Sequence, residues 1–209
     1  IFIPSSAGGQ GANSIGYNPL DGLIYGKRIG TSEIIRIASD LSVQIIPITG
    51  LPTANLFAAD VSANGIYYLT RTGYTTIERV DVNPSSPTYM TRLTPINVPA
   101  VNYSDIAINP NDGYAYAITD GTAPHSLLRI DLTTGSVTTI GTVTGGGSEA
   151  GTNFGSSWMD SNGNLFFNQG ANGNTYKIAS THTLTTGAVT STFVSTTTTG
   201  INDGAKCNT

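Results

Sequence analysis

The chain of 209 residues holds one cysteine, Cys207, two histidines, His125 and His182, two methionines and one tryptophan. A single cysteine excludes an internal disulfide, and two isolated histidines give no metal-type pairing. Charged residues make up only 11% of the chain, against about 25% in an average soluble domain, which speaks against a charge-rich disordered segment. Nine Lys and Arg stand against 13 Asp and Glu, for a net charge of −4. So few cations on an acidic chain cannot neutralise many phosphates, so nucleic acid is not the expected partner. No apolar run approaches the ~18 residues of a helical membrane span, so no membrane insertion is expected. Also missing is the i, i+3, i+4, i+7 apolar recurrence of a helix sustained over three turns, which leaves an all-β reading. The chain opens at Ile1 with neither Met nor a leader pattern, as expected where a leader or a longer precursor has been trimmed.

What is abundant is glycine, 25 residues, and threonine, about 15% of the chain. One turn signature returns four times: Asp21-Gly22, Asn64-Gly65, Asp112-Gly113 and Asn162-Gly163. The glycines step by 43, 48 and 50 residues, and a period of about 40–50 is that of a four-stranded propeller blade. Asn-Gly and Asp-Gly predict two-residue type I′ hairpins between the first and second strands. The second strands read Leu23-Ile24-Tyr25, Ile66-Tyr67-Tyr68-Leu69, Tyr114-Ala115-Tyr116-Ala117 and Leu165-Phe166-Phe167, rich in the aromatic and β-branched residues that strands favour. Third strands each carry a cation between apolar residues, Arg36, Arg79, Arg129 and Lys177, at 14, 14, 16 and 14 residues after the turn glycine. The clearest fourth strand is 137–143; the others are expected at 44–48, 89–93 and 191–194. Pro47 fits such an outermost strand, since proline is confined to sheet edges.

The expected architecture is therefore one β-propeller domain over 1–209, with repeats at about 11–52, 53–100, 101–149 and 150–199 and end strands at 1–4 and 200–206. The end strands leave two rings open: four blades with extra strands, or five blades with one incomplete, the second being preferred.

Four stretches carry a resemblance: 13–22 (NSIGYNPLDG), 104–113 (SDIAINPNDG), Leu128-Arg129-Ile130-Asp131 with Thr134-Gly135, and the closing 202–207 (NDGAKC). Over essentially the whole chain they are similar to a family of predicted β-propeller domains of large bacterial secreted and surface proteins. That resemblance implies a secreted or surface-displayed module, commonly within a longer adhesin-like protein. It implies no catalytic residues.

Enzyme signatures are lacking: there is no Gly-x-Ser-x-Gly elbow and no Walker loop. Gly145-Gly146-Gly147-Ser148 reads as a flexible inter-blade loop, because no helix pattern follows to present amides to a phosphate. His125 and His182 read as solvated loop residues, and Cys207 as a buried or terminal thiol or as one half of a disulfide lost by truncation. Asp21, Asp112 and Asp160 belong to turns, and Asp81 and Asp131, two residues after the repeated arginines, to support of the third-strand turn. The four cations spread around the ring, with stems packed between blades. Tyr74, Tyr89, Tyr103 and Trp158 are the aromatics expected in or near loops, where they could stack on sugars.

Asp60, Asp105 and Asp203 fall on innermost strands, with Asn13, Asn55, Asn153 and Asn202 nearby. Such oxygens serve either as hydrogen-bond acceptors for backbone and channel water, or as a site for Ca²⁺ or for sugar hydroxyls. The expected ligand-binding set is Asn13, Asp60, Asp105, Asn153 and Asp203 at the channel mouth, with Asp105 and Asp203 as the metal candidates. The expected function is that of an extracellular, non-catalytic binding or adhesion module for a cell-surface glycan or protein. Two other classes stand beside it: a structural subunit of a surface filament or layer, and a Ca²⁺-dependent hydrolase or lyase with Asp105 and His125 as its acid or base.

Overall fold

The computed structural model describes residues 11–148 and 153–197. The fold is all-β, its only helical element among the described residues being the 3₁₀ turn Thr181–Thr183. Sixteen strands among the described residues form four consecutive antiparallel meanders. Sheet 1 is β1 (Ala12–Asn18), β2 (Leu23–Arg28), β3 (Glu33–Ile37) and β4 (Val43–Pro47). Sheet 2 is β5 (Ala58–Val61), β6 (Ile66–Thr70), β7 (Thr76–Asp81) and β8 (Thr91–Asn97). Sheet 3 is β9 (Ala107–Ile108), β10 (Ala115–Ile118), β11 (Ser126–Ile130) and β12 (Val137–Gly145). Sheet 4 is β13 (Ser156–Met159), β14 (Leu165–Asn168), β15 (Asn174–Ile178) and β16 (Val189–Thr196). Sheets 3 and 4 merge into one eight-stranded sheet because β12 and β16 pair in parallel over Val143–Gly145 and Val189–Ser191.

Side chains of a strand alternate between its faces, so sheets 2 and 3 each feed two cores. Tyr67 packs into the core shared with sheet 1, with Tyr25, Ile34, Ile48, Leu56 and Val80. Its neighbour Tyr68 points the other way, into the core shared with sheet 3, with Ile77, Tyr103, Ile106, Leu128 and Ile130. A third core joins sheets 3 and 4 through Tyr116, Leu127, Phe154, Leu165, Phe167 and Tyr176. Each such fully buried side chain contributes about 1.5–3 kcal/mol of transfer free energy.

The repeated cations stand directly across from the second-strand aromatics: Arg36 opposite Tyr25, Arg79 opposite Tyr68, Arg129 opposite Tyr116 and Lys177 opposite Phe166. Their heads meet local groups. Arg36 donates to the Tyr89 hydroxyl (2.5 Å) and to Gln44, Arg79 donates to the Thr94 carbonyl (2.7 Å), and the Arg129 guanidinium lies 5.1 Å from the Tyr114 ring centre.

The hairpin turns differ from the expected type I′. Of the turn residues only the glycines take positive φ, between 71° and 77°, whereas type I′ needs two such residues. In sheets 2 and 4 the Gly65 and Gly163 amides reach back three residues, to the Ser62 and Asp160 carbonyls. In sheets 1 and 3 the Gly22 and Gly113 amides reach back four, to Asn18 and Asn109. The Asp-Gly turns are thus one residue longer than the Asn-Gly turns.

The fourth strand expected at 89–93 begins later, at Thr91. Asp81 causes the delay: its carboxylate accepts from the Ser86 and Thr88 hydroxyls and the Asn83 amide, and its carbonyl from Met90 N, folding 83–90 into a turn. Around the expected loop at 145–148, Gly146 and Gly147 pack on aromatic rings instead of flexing freely, since a Cβ on Gly146 would lie 2.4 Å from the Tyr176 ring. The end strands expected at 1–4 and 200–206, with Asn202, Asp203 and Cys207, lie outside the described residues.

Candidate functional site

The innermost strands β1, β5, β9 and β13 lie side by side in that order, and the first hairpin turn of every sheet falls at the same end. There they enclose a cavity of about 410 Å³. The cross-strand register defines its wall. The residues opposite the second position after each turn glycine are Tyr17, Val61, Ile108 and Met159, one from each sheet, and all four line the cavity. The preceding position in each strand holds Gly16, Asp60, Ala107 and Trp158. Of these, the two large members, Asp60 and Trp158, reach the cavity, and the two small ones do not line it. Ser62, Asn64 and Thr133 bring hydroxyls and an amide to the rim.

The small residues let the strands approach closely. A Cβ on Gly16 would come within 2.9 Å of the Val61 side chain and 3.0 Å of its backbone nitrogen. Carboxylates do the bridging there. Asp60 accepts from Val61 N and, across the gap to β9, from Ile108 N, each at 2.8 Å. Asp105, 2% exposed, accepts from Ile106 N (2.8 Å), Ala59 N of sheet 2 (3.3 Å) and Ser157 N of sheet 4. One carboxylate thus ties three sheets together, since buried amides need an acceptor.

Of the expected ligand-binding set, Asp60 stands in the cavity wall. Asp105 lies buried just ahead of β9, Asn13 stands toward the opposite end of β1, and Asn153 lies ahead of β13. Asn13 is opposite Lys27, and the Asn153 carbonyl receives Gly170 N beside the β14–β15 turn. Asn55, also away from the cavity, accepts from Gly30 N. Among the described residues, no three of His, Cys, Asp and Glu come together as a metal-ligand group.

Asp21 and Asp112 each bind a backbone amide of their own turn and a tyrosine hydroxyl, Tyr25 and Tyr116, at 2.6 Å. Burial, with the partner carboxylate's help, pushes both phenols well above the ordinary tyrosine range. Asp160 collects the amides of Asn162 and Asn164, and Asp131 those of Thr133 and Thr134. At the far end of the sheets Asp120 accepts from Ser104 (2.5 Å) and Phe154 N, and burial raises its carboxyl.

His125 is a correction to the solvated-loop reading. It is fully buried, its Nδ1 is 2.7 Å from the Thr119 carbonyl, and its ring meets Phe154 edge-on at 5.1 Å. His182 is half-buried, with Nδ1 packed toward Gly163. Tyr103 is a second correction, since at 1% exposure it belongs to the core between sheets 2 and 3. The two residues considered for acid or base chemistry, Asp105 and His125, are thus both buried, and neither lines the cavity.

Tyr17, Ile108 and Met159 were not among the expected site residues. The signal for them exists in the repeat, but it is offset by one residue between Asp-Gly and Asn-Gly turns, so counting back from the glycines misaligns the strands. Tyr68 also lines the cavity, and burial raises its phenol, which stays a neutral hydroxyl at physiological pH.

The fold is similar to that of solved proteins at low sequence identity. Virginiamycin B lyase from Staphylococcus aureus matches at 15% identity and a TM-score of 0.56, over 90% of this chain and 57% of the lyase. Kuenenia stuttgartiensis hydrazine synthase matches at 15% identity and a TM-score of 0.53, over 86% of this chain and 48% of that one. A protein of unknown function from Desulfotomaculum acetoxidans matches at 15% identity and a TM-score of 0.50, over 85% and 56%. The chain therefore spans about half the length of these solved chains, and at such identity the likeness concerns the fold alone. No curated protein matches the sequence significantly. Residues 3–209 match the model of the family described as "Repeat of unknown function (DUF6923)", and the chain belongs to that family.

Proposed function

We propose that the chain is an extracellular, non-catalytic binding or adhesion module, built as a β-propeller of four to five blades, with its ligand site at the turn end of the innermost strands. One observation carries the reading: a cavity of about 410 Å³ to which every sheet contributes a residue of its innermost strand. That volume falls within the ~300–1,000 Å³ of small-molecule sites, and convergence of several elements on one pocket is where such sites form. Among the described residues that line it, the one side chain suited to general-base work at neutral pH is the Asp60 carboxyl. The low charge and high Thr and Gly content support the extracellular setting, and the partner would be a cell-surface glycan or protein. The test is a glycan array and a cell-binding assay with the purified 209-residue chain, with and without Ca²⁺. Saturable binding that Trp158→Ala removes is the expected result; unchanged binding by that variant refutes the site.

A second reading, a structural subunit of a filament or layer, has its own observation. Strand β4 is an outermost strand without a charged residue, and Leu41, Val43 and Ile45 beside and on it are 65%, 40% and 37% exposed. Such edges accept strands from other chains. Light scattering across a concentration series decides it: growth beyond 21.7 kDa that Ile45→Lys abolishes favours assembly.

A further inference from the structure

The chemistry of the cavity wall selects among ligand classes. We infer that the cavity binds an uncharged, polyhydroxylated ring, a neutral pyranoside, seated with its C–H face on the Trp158 indole; the inference rests on the binding-module reading above.

Three observations point there. First, the indole is already ordered as a platform: Phe166, its cross-strand partner on β14, stacks on it with ring centres 5.5 Å apart and planes 2° from parallel. A stacked pair holds the indole in one orientation, and an aromatic face is the natural seat for the apolar side of a sugar ring. Second, the polar rim is made of neutral donors and acceptors, Ser62, Asn64 and Thr133, which match hydroxyl groups one to one in type. Third, among the described residues the only ionisable groups in the wall besides tyrosine hydroxyls belong to Asp60, and no Lys, Arg or His lines it. An anion would meet the like charge of Asp60, in surroundings less screening than bulk water. A quaternary ammonium is the competing class, because acid and aromatic groups also suit a cation. Against it, the only parallel ring contact at the site pairs Trp158 with Phe166, which does not line the cavity.

Trp158 is the only tryptophan of the chain, so its fluorescence reports on this site alone. The experiment titrates the 209-residue chain with methyl pyranosides of glucose, galactose and mannose, with N-acetylglucosamine, with glucuronate and with choline, following emission and calorimetric heat together. The expected result is a saturable emission change with at least one neutral glycoside, about tenfold weaker binding of glucuronate than of the matching glucoside, and loss of the heat in Trp158→Ala. Asn64→Ala, on the exposed turn, should weaken the same glycoside without changing the folded circular dichroism. Preferential binding of glucuronate or choline with an emission change overturns the neutral-sugar class and leaves the binding-module reading standing. Heat without any emission change overturns the Trp158 seat. Silence with every probe here overturns the ligand class. A glycan and cell-surface screen that is also silent removes the binding-module reading itself.

Discussion

The junction between sheets 3 and 4 and the junction between sheets 1 and 2 solve the same problem differently. Both bury an apolar core, and both use an asparagine at the turn end of the innermost strand, Asn18 closing β1 and Asn109 just after β9, to reach the segment that follows the next sheet's third strand: Asn18 donates to the Val82 carbonyl (2.8 Å) and Asn109 to the Thr181 hydroxyl (2.9 Å). Only the later junction adds a backbone ladder at the rim, where β12 and β16 pair in parallel. That contact demands bare backbone, since a Cβ on Gly141 would fall 1.3 Å from the Gly187 carbonyl oxygen. The difference shows that the sheets can be joined at the centre by carboxylates and amides or at the rim by strands, and that the central mode is common to the whole stack.

The largest expected effect tests the central mode. Asp105→Ala strands buried amides in three sheets, and at about 1–3 kcal/mol per unpaired buried donor the loss should be on the order of 4 kcal/mol; urea unfolding with an unchanged m-value would measure it. A loss below ~1 kcal/mol would show that the rim and cores hold the stack without it. Gly141→Ala tests the rim. It forces β12 away from the Gly187 segment and should cost about 3 kcal/mol, with hydrogen exchange accelerated at Val143 and Ser191 before sheet 1. Equal acceleration in sheet 1 would mean that the stack opens as one unit.

Asn18→Ala and Asn109→Ala sharpen the comparison. Each removes one buried bond between neighbouring sheets, about 1–2 kcal/mol, and the Asn18 variant should be the more damaging because no rim ladder backs it up. Thermal melts of the two variants side by side decide the order.

Acidification gives the smallest effect. Although burial pushes Asp81 up, the Ser86 and Thr88 hydroxyls and the Asn83 amide hold its carboxyl below the usual range. Its contribution is therefore present above the ordinary carboxylate value of about 3.9 and is lost as pH falls through its lower folded value. The turn it holds adjoins Val82, which Asn18 grips, so amides around Met90 should lose protection in acid before those around Thr181. The reverse order would dissociate that turn from the junction.

Much of the fold is legible in the sequence, element by element. Leu23-Ile24-Tyr25 and Ile66–Leu69 are strands because aromatic and β-branched residues suit a pleated, buried surface, those of Ile66–Leu69 alternating into two cores, and the cations at Arg36, Arg79, Arg129 and Lys177 mark the third strands. The site is legible only in part. Asp60 is in the cavity wall, but Asp105 faces amides contributed by residues 46 and 52 positions away. His125 and Tyr103 look like loop residues in one dimension, and are core residues because sheets from elsewhere in the chain cover them.

The sequence by itself determined the repeat, the all-β class and the order of strands within each sheet, because hydrophobic alternation, turn glycines and β-propensity act over a few residues. The tertiary structure alone decided which residues share the cavity, that β12 meets β16, and that Asp105 serves three sheets. Those outcomes depend on a one-residue difference in turn length and on backbone approaches between segments 46 to 52 residues apart, distances over which no local pattern specifies a partner.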